Sequence, residues 1–542
     1  MKTFFKGIPV SVWSARWWIV AAAVLCLVDQ TLRTIAFCPE LSRKAVLHSA
    51  KLFLFYVSLA VAPVFLLGRF ACFAAPVLFA GWFLAEAVQL WVLCSFNMTL
   101  GGNWVLMAFS TSGAEVREFV SGFLTPFNAA YALLAVVSAA VIALFFASGR
   151  RVFPVLSPSS ASLALLCASL ACPLARSSFR APVSWAQISR DLLALNFPVD
   201  TISNWRAYRA LGDSCRREPS MDLSVADGGG KPRLAVFVIG ESTTRSHMGI
   251  YGYRRDTTPE LAAISAGGGL TVFTDLTTTH STTPEALCSL LTGTDLAAGR
   301  PIPAVFPAML KKAGYRTVLI SCQGSWQNKD VVGSHLFLSC DSRRFLQGNR
   351  VAGTLPDGIA LPKLEEELGG MTGDLAVFVH LYGCHNPAAR RVPEGFSRQW
   401  PPMSSVSSKR AVRKVDSYDT AVAYDDHVVA AIIRMASRCG VPACVFCVSD
   451  HGESPDSAIW RDARSRDTFE VPLLVWLSPE YRAAYPDTAA RVEEARSRCL
   501  RMDQLLEGML ELARVEGYRP WDSDGNFLSA RFREIPPTER RE

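Results

Sequence analysis

The sequence contains no internal repeat, no heptad array and no long low-complexity tract, so it is typical neither of a solenoid nor of a coiled coil. It also lacks a strong charge of one sign, because 55 Lys and Arg stand against 48 Asp and Glu, a formal net charge of +7. No basic stripe interleaved with aromatic residues is present, and we therefore expect no nucleic-acid partner. What remains is a chain of 542 residues, 50% of them hydrophobic, which is long enough for several domains.

The hydrophobic residues are unevenly distributed along the chain. Residues 1–175 contain 11 Lys or Arg and 5 Asp or Glu, and most of the charge lies beyond them. A helix crosses a bilayer with about 20 apolar residues, and five apolar runs approach or exceed this length: 17–28 with its flanks, 52–68, 70–95, 126–148 and 153–175. The sequence therefore predicts an N-terminal α-helical membrane bundle of five transmembrane helices.

The charges around these runs bear on topology. No small-residue cleavage site follows "LCLVDQ", which favours an uncleaved anchor over a signal peptide. With the N-terminus inside, the inside segments carry six Lys or Arg and the first two outside loops carry five. An odd number of spans then places the remainder of the chain outside the cytoplasm.

Nine of the 15 cysteines lie beyond residue 175. An oxidising compartment would permit disulfides among them, and their pairing is left open. Cys444 and Cys447 belong to the apolar run "ACVFCVSD", which would turn them to opposite faces of a strand. This pattern favours two buried small hydrophobic residues over a zinc knuckle.

Beyond a mixed, Arg-containing segment at 176–233, which we interpret as an amphipathic linker, short apolar runs alternate with helical patterns. We expect strands at 234–239, 316–321, 375–380, 444–449 and 471–477, and helices at 284–292, 303–313 and 416–437. Continuous apolar strands alternating with helices indicate a parallel sheet covered on both faces. The predicted domains are thus a transmembrane domain at 1–175, the linker, and a soluble α/β domain at 234–542.

Polar residues follow three of the predicted strands. Glu241 follows the first strand, His380 and His385 lie at the exit of the third, and Asp450 and His451 follow the fourth. Ligands of open parallel sheets collect at the carboxyl ends of the strands, and carboxylate oxygens with imidazole nitrogen suit a divalent cation such as zinc. The alternative for each residue alone is an ordinary polar loop position. Gly452 permits a sharp turn after the Asp-His pair, which would let both side chains reach inward.

The run "TTTHSTTPEALCSLLTG" offers hydroxyl nucleophiles near this edge. Pro284 suits the first position of a helix, which makes Thr283 the predicted N-cap, where the helix dipole and a metal would favour ionisation of its hydroxyl. The alternatives are that Thr283 is only a cap, or that Thr282 or Ser281 carries the reactive hydroxyl.

Four motifs in this order resemble those of the bacterial phosphoethanolamine transferases, in the sulfatase-like branch of the alkaline phosphatase superfamily. They are "VIGESTTRSHMGIYGYRRDTTPEL", "STTPEALCSLLTG", "HLYGCHNP" and "VSDHGES". "TPEALCSLLTG" is most similar to the members that modify the lipopolysaccharide core. The resemblance includes the N-terminal part, and it implies an alkaline phosphatase-like α/β/α sandwich after a membrane bundle.

The resemblance also implies roles for individual residues. Glu241, Asp450 and His451 would be ligands of Zn2+, and Thr283 would be the nucleophile that touches the same metal. His385 would be a catalytic residue near the phosphate, although the usual "GSH" is "GCH" here. Other residues are assigned a supporting or substrate-binding role: Arg245, His247, Gln323, Lys329 and Glu115.

The sequence departs from the family in one respect. Many members carry a further histidine after "DHGES", whereas "PDSAIWRDARSRD" has none. Arg461, Arg464 or Arg466 could hold a phosphate instead, or the segment is a solvated basic loop. Glu86 lies inside the third predicted span, where a carboxylate indicates function or a bond to a neighbouring helix. Glu118, like Glu115, would face a donor ammonium group or be an ordinary interfacial charge.

Together these features predict an enzyme of the bacterial inner membrane with its catalytic domain in the periplasm. It would transfer phosphoethanolamine from phosphatidylethanolamine to lipopolysaccharide or another envelope glycan through a phospho-threonine. Alternatives are another enzyme of the superfamily, such as a phosphoglycerol transferase or phosphodiesterase, and a non-catalytic anchored binding protein with a remnant site. A sulfatase activity is disfavoured because no Cys/Ser-x-Pro-x-Arg motif surrounds Thr283.

Overall fold

The structure is a computed structural model. It describes residues 211–226, 230–294, 304–323, 335–347, 355–401, 409–456, 465–518 and 525–535, with single positions at 88, 136, 202, 206 and 302. The chain divides into two compact units, Met1–Val105 with Val120–Asn204, and Leu106–Phe119 with Trp205–Glu542. Nearly all described residues belong to the second unit.

Apart from Val88 and Val136, the five predicted membrane spans lie outside the described residues, as do Glu86, Glu115, Glu118, Lys329, Arg461 and Arg464. Among the helices that are described, none combines the length and the apolar character needed to cross a bilayer.

An eight-stranded mixed sheet forms the centre of the second unit, with the strand order β5-β4-β6-β2-β7-β8-β3-β9. A separate antiparallel pair joins β1 to β10. The strands are β1 Ser224–Val225, β2 Leu234–Gly240, β3 Leu270–Thr277, β4 Arg316–Ser321, β5 Ser342–Phe345, β6 Leu375–His380, β7 Ala443–Ser449, β8 Glu470–Leu477, β9 Cys499–Arg501 and β10 Val515–Glu516.

Helices cover both faces of this sheet. Within the described ranges they are α1 Pro259–Ala266, α2 Thr283–Thr292, α3 Phe306–Ala313, α4 Ala360–Gly369, α5 Lys409–Arg438, α6 Arg466–Phe469, α7 Pro479–Ala484, α8 Pro486–Ala495 and α9 Leu505–Leu512. Strand β2 is fully buried and divides the core in two. Its alternate residues Ala235, Phe237 and Ile239 pack with one cluster, which includes residues of α2, α3 and α9. The others, Leu234, Val236 and Val238, pack with a second cluster that includes residues of α4 and α5.

The predicted α/β/α arrangement is thus confirmed for the second unit, and each of the five predicted strands is present within a residue of its expected bounds. The two strand cysteines also lie as expected, Cys444 in one core cluster and Cys447 against the other. All nine described cysteines are free.

The expectation of a purely parallel sheet is wrong at one place. Strand β8 pairs antiparallel with both β7 and β3. A parallel neighbour requires a crossover to the opposite edge of the sheet. Strand β8 instead follows the short helix α6, begins beside the end of β7 and runs back along it, with Val448 opposite Leu473 and Cys444 opposite Leu477. Strands β3, β5 and β9 were not predicted, because their runs are short or interrupted by polar residues.

Candidate metal centre and nucleophile

Three central strands end side by side at one edge of the sheet. Strand β2 lies between β6 and β7 and is parallel to both. The register pairs Ile239 with His380 and Gly240 with Ser449, so the next residues on β2 and β7 are Glu241 and Asp450. The two carboxylates come together because two buried strands end at the same level.

Glu241, Asp450 and His451 form a compact buried cluster whose ligand atoms all lie within 4.8 Å of one another. His451 Nε2 lies 3.3 Å from Glu241 Oε1 and 3.6 Å from Asp450 Oδ2. The Nδ1 atom of His451 lies 2.8 Å from the carbonyl oxygen of Gly452. Since a carbonyl only accepts, Nδ1 carries a hydrogen, and in the neutral imidazole Nε2 then presents its lone pair to the cluster.

The hydroxyl of Thr283 completes this cluster. Its Oγ1 donates to Glu241 Oε2 at 2.9 Å and lies 3.4 Å from His451 Nε2. Thr283 is the first residue of α2, and Thr282 is its N-cap, one position earlier than expected. The Thr282 hydroxyl turns away and donates to the side chain of Glu285. Of the two threonines, Thr283 is therefore the one whose hydroxyl faces the carboxylates and the imidazole.

These donor atoms fit a zinc ion. With bonds of about 2.0–2.1 Å, tetrahedral zinc sets its ligand atoms about 3.3–3.4 Å apart. The separations between His451 Nε2 and the oxygens of Thr283, Glu241 and Asp450 are 3.4, 3.3 and 3.6 Å. Oδ2 of Asp450 is buried and makes no hydrogen bond, so this oxygen is left to a ligand. Mixed carboxylate and imidazole donors are those that zinc accepts.

Burial shapes the electrostatics of this site. Asp450 is fully buried, and desolvation together with the nearby charge of Glu241 raises its pKa to about 7. Two backbone N–H groups, from Ser242 and His451, donate to its Oδ1 and partly oppose the rise. Two buried carboxylates held this close favour the binding of a cation between them.

Two glycines let backbone segments approach closely at the site. At Gly452, a Cβ atom would lie 1.9 Å from the carbonyl oxygen of Asp467. Gly452 is thus required by this close approach rather than by a positive φ, since only a residue without a side chain fits there. Gly383 has φ +48°, and a Cβ there would lie 2.6 Å from the carbonyl oxygen of Glu241. Cys384 N donates to that same oxygen at 2.9 Å.

Gln323 lies behind Glu241 and is 4% exposed. Its Nε2 lies 3.1 Å from Glu241 Oε2, 3.1 Å from His380 Nε2 and 3.2 Å from the carbonyl oxygen of Leu381. Burial lowers the pKa of His380 to about 4, so its imidazole is neutral and can accept this amide hydrogen. The structure brings Gln323 and His380 together as a support for Glu241. Substrate binding by Gln323 stays a prediction.

His385 follows β6 on the same edge of the sheet as the cluster. Its Nδ1 lies 2.9 Å from the carbonyl oxygen of Asn386, and its ring lies 5.2 Å from that of Tyr382. Arg391 donates to the His385 carbonyl oxygen at 2.8 Å, and its guanidinium stacks on Tyr382 at 4.0 Å. These contacts fix the backbone of His385 and present its ring near the surface.

The residues assigned a supporting or phosphate-binding role that the structure describes contact carboxylates. Arg245 lies 3.3 Å from Asp275 and 3.4 Å from Glu470. His247 is buried and its Nδ1 lies 2.7 Å from Asp419. Arg466 begins α6 and pairs with Glu470 at 2.7 Å.

Sequence reasoning missed a group of buried polar residues around the site, most of them on α5: Asp357, Tyr418, Asp419 and Asp425. Asp357 accepts from the N–H groups of Tyr382 and Gly383 at 2.9 and 2.7 Å. Asp425 accepts from Thr243 and Cys384, and burial with the nearby charge of Asp357 raises its pKa well above the usual range. A signal was present, because Tyr418 and Asp425 are seven residues apart and so share one face of α5 with the apolar residues Ala421, Val422 and Val429.

Comparison with known proteins identifies the family of this chain. Residues 233–515 match the family model described as Sulfatase. Phosphoethanolamine transferase EptC of Escherichia coli (strain K12) is 26% identical over 516 residues, which cover 89% of this chain and 86% of that protein. Phosphoethanolamine transferase CptA of Salmonella typhimurium is 27% identical over 509 residues, covering 87% and 86%.

Two solved structures share the fold. The C-terminal periplasmic domain of E. coli EptC, in complex with Zn, has a TM-score of 0.53 and 28% identity, covering 58% of this chain and 91% of that one. The integral membrane protein lipooligosaccharide phosphoethanolamine transferase A from Neisseria meningitidis has a TM-score of 0.66 and 18% identity, covering 96% and 98%, a likeness of fold alone. The family match spans more than half of the chain, and the relatives match along most of its length. The chain therefore belongs to the sulfatase family and is an enzyme of the phosphoethanolamine transferase type, within the alkaline phosphatase superfamily.

Proposed function

We propose that the protein is a zinc-dependent enzyme that transfers phosphoethanolamine from phosphatidylethanolamine to an envelope glycolipid, the lipopolysaccharide core or lipid A, through a covalent intermediate on Thr283. The observation that carries this proposal is the Thr283 hydroxyl, 2.9 Å from Glu241 and 3.4 Å from His451. A nucleophile is thereby built into the cluster of carboxylates and imidazole that suits the cation.

Glu241, Asp450 and His451 would hold the zinc ion, with the Thr283 oxygen as the fourth donor. When bound, zinc would supply Lewis-acid stabilisation of negative charge on the transferring group and lower the pKa of the Thr283 hydroxyl. Gln323 would orient Glu241, since its amide donates to the carboxylate.

In the first step, Thr283 Oγ1 attacks the phosphorus of the donor phosphodiester. The bond between phosphorus and the diacylglycerol oxygen breaks, and diacylglycerol leaves with the proton that Thr283 gives up. The position of Thr283 at the start of α2 assists, because the positive end of the helix dipole stabilises the oxygen as its proton departs. Phosphoethanolamine is then linked to Thr283.

In the second step, a hydroxyl or phosphate oxygen of the acceptor attacks the same phosphorus. The bond to Thr283 breaks, and the acceptor's proton returns to the threonine oxygen. His385 would serve this step as an acid/base or phosphate-binding group, since its ring lies near the surface of the same sheet edge.

The proposal includes the location of the enzyme. Residues 1–175 would form a five-helix domain in the inner membrane, 176–233 a linker, and 234–542 the periplasmic catalytic domain. Glu115 and Lys329 would contact substrate. A lipid donor explains why apolar spans and a buried polar site occur in one chain. The fold likeness to an integral membrane transferase over 96% of the chain supports the same arrangement.

Intact-mass analysis of the purified full chain tests the covalent step. After incubation with phosphatidylethanolamine and zinc, we expect the mass of one phosphoethanolamine group to be added to wild type and to Thr282→Ala, and not to Thr283→Ala. Thr282→Ala is the matched control, since it removes a neighbouring hydroxyl that bonds to Glu285. Adduct on Thr283→Ala would overturn the assignment. Mass spectrometry of envelope glycolipids with and without the gene tests the acceptor.

A further inference from the structure

One tyrosine holds the turn that follows Glu241. Tyr418 lies on α5, is 2% exposed, and reaches the turn with its hydroxyl. The hydroxyl donates to the carbonyl oxygen of Ser242 at 2.8 Å and accepts from the N–H of Thr244 at 2.8 Å. A single oxygen therefore bridges two backbone groups two residues apart.

The turn needs such a clamp because it is strained. Ser242 has φ +59°, a left-handed conformation that is strained for a residue with a side chain and persists only where its surroundings enforce it. The Tyr418 hydroxyl bonds to the carbonyl oxygen of Ser242 and to the N–H of Thr244, and these two hydrogen bonds fix the peptide planes on either side of Thr243.

Ser242 connects the turn to both carboxylates of the metal cluster. Its N–H donates to Asp450 Oδ1 at 3.1 Å, and its Oγ donates to Glu241 Oε1 at 2.8 Å. The orientation of Ser242 therefore sets the orientation of two of the three predicted zinc ligands. Residues that hydrogen-bond to metal ligands without touching the metal strongly affect the affinity of a site for its metal.

The position of the Tyr418 ring is itself fixed. The ring of His247 meets it edge-on, with ring centroids 5.3 Å apart, and Asp419 holds His247 through a 2.7 Å contact. Burial raises the pKa of Tyr418 well above its usual range, so the phenol keeps the proton that it donates.

We propose that Tyr418 is a positioning residue of the metal centre, which sets the geometry of Glu241 and Asp450 through Ser242 without touching metal or substrate. This inference rests on the proposed zinc-dependent function. The segment "RSHMGIYGY" contributes to the same arrangement, since its His247 packs against the Tyr418 ring.

The test compares zinc affinity of the full-length wild type, Tyr418→Phe and Tyr315→Phe by competition with a chromophoric chelator. Tyr315 is a matched control, because its buried hydroxyl donates to the carbonyl oxygen of Ala513, away from the cluster. We expect Tyr418→Phe to bind zinc about 10–100-fold more weakly and Tyr315→Phe to bind as wild type does. The absorption bands of the Co2+-substituted protein should change for Tyr418→Phe alone, which a loss of stability by itself would not produce.

The outcomes separate the two proposals. Equal zinc affinity and equal cobalt spectra for wild type and Tyr418→Phe overturn the positioning role and leave the proposed function intact. A wild-type chain that binds no zinc overturns both. If Tyr418→Phe does not fold, Ser242→Ala removes the next link to Glu241 and leaves the tyrosine in place. Wild-type zinc affinity in Ser242→Ala then overturns the inference.

Discussion

Replacing Gly452 by alanine tests whether the Asp-His segment is seated by close backbone contact. The added Cβ would lie 1.9 Å from the Asp467 carbonyl oxygen, and an ordinary contact begins at 3.4 Å, so the two segments must separate by about 1.5 Å. The same two segments are joined by the hydrogen bond from Gly452 N to the Thr468 carbonyl oxygen at 2.8 Å, which this separation would break.

Both consequences can be given a magnitude. Overpacking of a buried site costs about 1–3 kcal/mol, and the lost hydrogen bond about 1 kcal/mol. We therefore expect Gly452→Ala to lower the free energy of unfolding by about 2–4 kcal/mol. Because the Gly452 carbonyl oxygen accepts from His451 Nδ1, the shift should also turn the imidazole and weaken zinc binding about 10–100-fold.

Urea denaturation in chelator measures the first effect, and zinc competition on the folded protein measures the second. Gly373→Ala is the control, since a Cβ at Gly373 meets nothing within 4 Å and its φ is not positive. A Gly452→Ala protein with the unfolding free energy and zinc affinity of wild type would refute the reasoning.

Three other predictions concern buried charges. In chelator at pH 8, we expect Asp450→Asn to have a free energy of unfolding up to about 4 kcal/mol higher than that of wild type, because the pKa of Asp450 is raised to about 7 and its buried carboxylate destabilises the fold as the pH rises from about 4 through 7. With zinc added, wild type should be the more stable of the two proteins. Equal stability of both proteins in both conditions would contradict this prediction. Burial likewise raises the pKa of Asp426 to about 6, so between pH 4 and 7 the free energy of unfolding of wild type should fall by about 3 kcal/mol relative to that of Asp426→Asn. Parallel pH profiles of stability for the two proteins would contradict this. Asp419→Ala removes a partner of the buried Arg255 guanidinium, 2.5 Å away, and the partner of His247, and should cost about 3–5 kcal/mol in urea denaturation. A cost below about 1 kcal/mol would contradict this and would show that Asp416, 2.8 Å from Arg255, suffices to pair the guanidinium.

The cluster of Glu241, Asp450 and His451 could be predicted because the strands that directly precede these residues are buried. A run such as "LAVFVIG" has no polar face, so its strand must lie inside the sheet and its first polar residue must lie at the edge. The same argument applied to β7 brings Asp450 to that edge. Pro284 located the start of α2 to within one residue and so placed Thr283 near the carboxylates.

The contacts that hold this cluster could not be predicted, since each joins distant segments. Nothing in "SCQGSW" indicates that Gln323 turns inward to Glu241, and nothing near Tyr418 indicates which turn its hydroxyl reaches. The direction of β8 could not be predicted either, because an antiparallel strand that is buried on both faces has the same continuous apolar pattern as a parallel strand.

The central strand register has a consequence for folding. Glu241 and Asp450 lie 209 positions apart in the chain, so a cation held between them would close one of the longest loops in the domain. In the chain-entropy model, a cross-link of that span is worth on the order of 5 kcal/mol. It can form only after both strands have paired in register, since a slip of one residue would turn Glu241 and Asp450 to opposite faces. Zinc would then act as a cross-link that forms late in folding between the two central strands, and the folded chain should resist proteolysis better with the metal bound than without it.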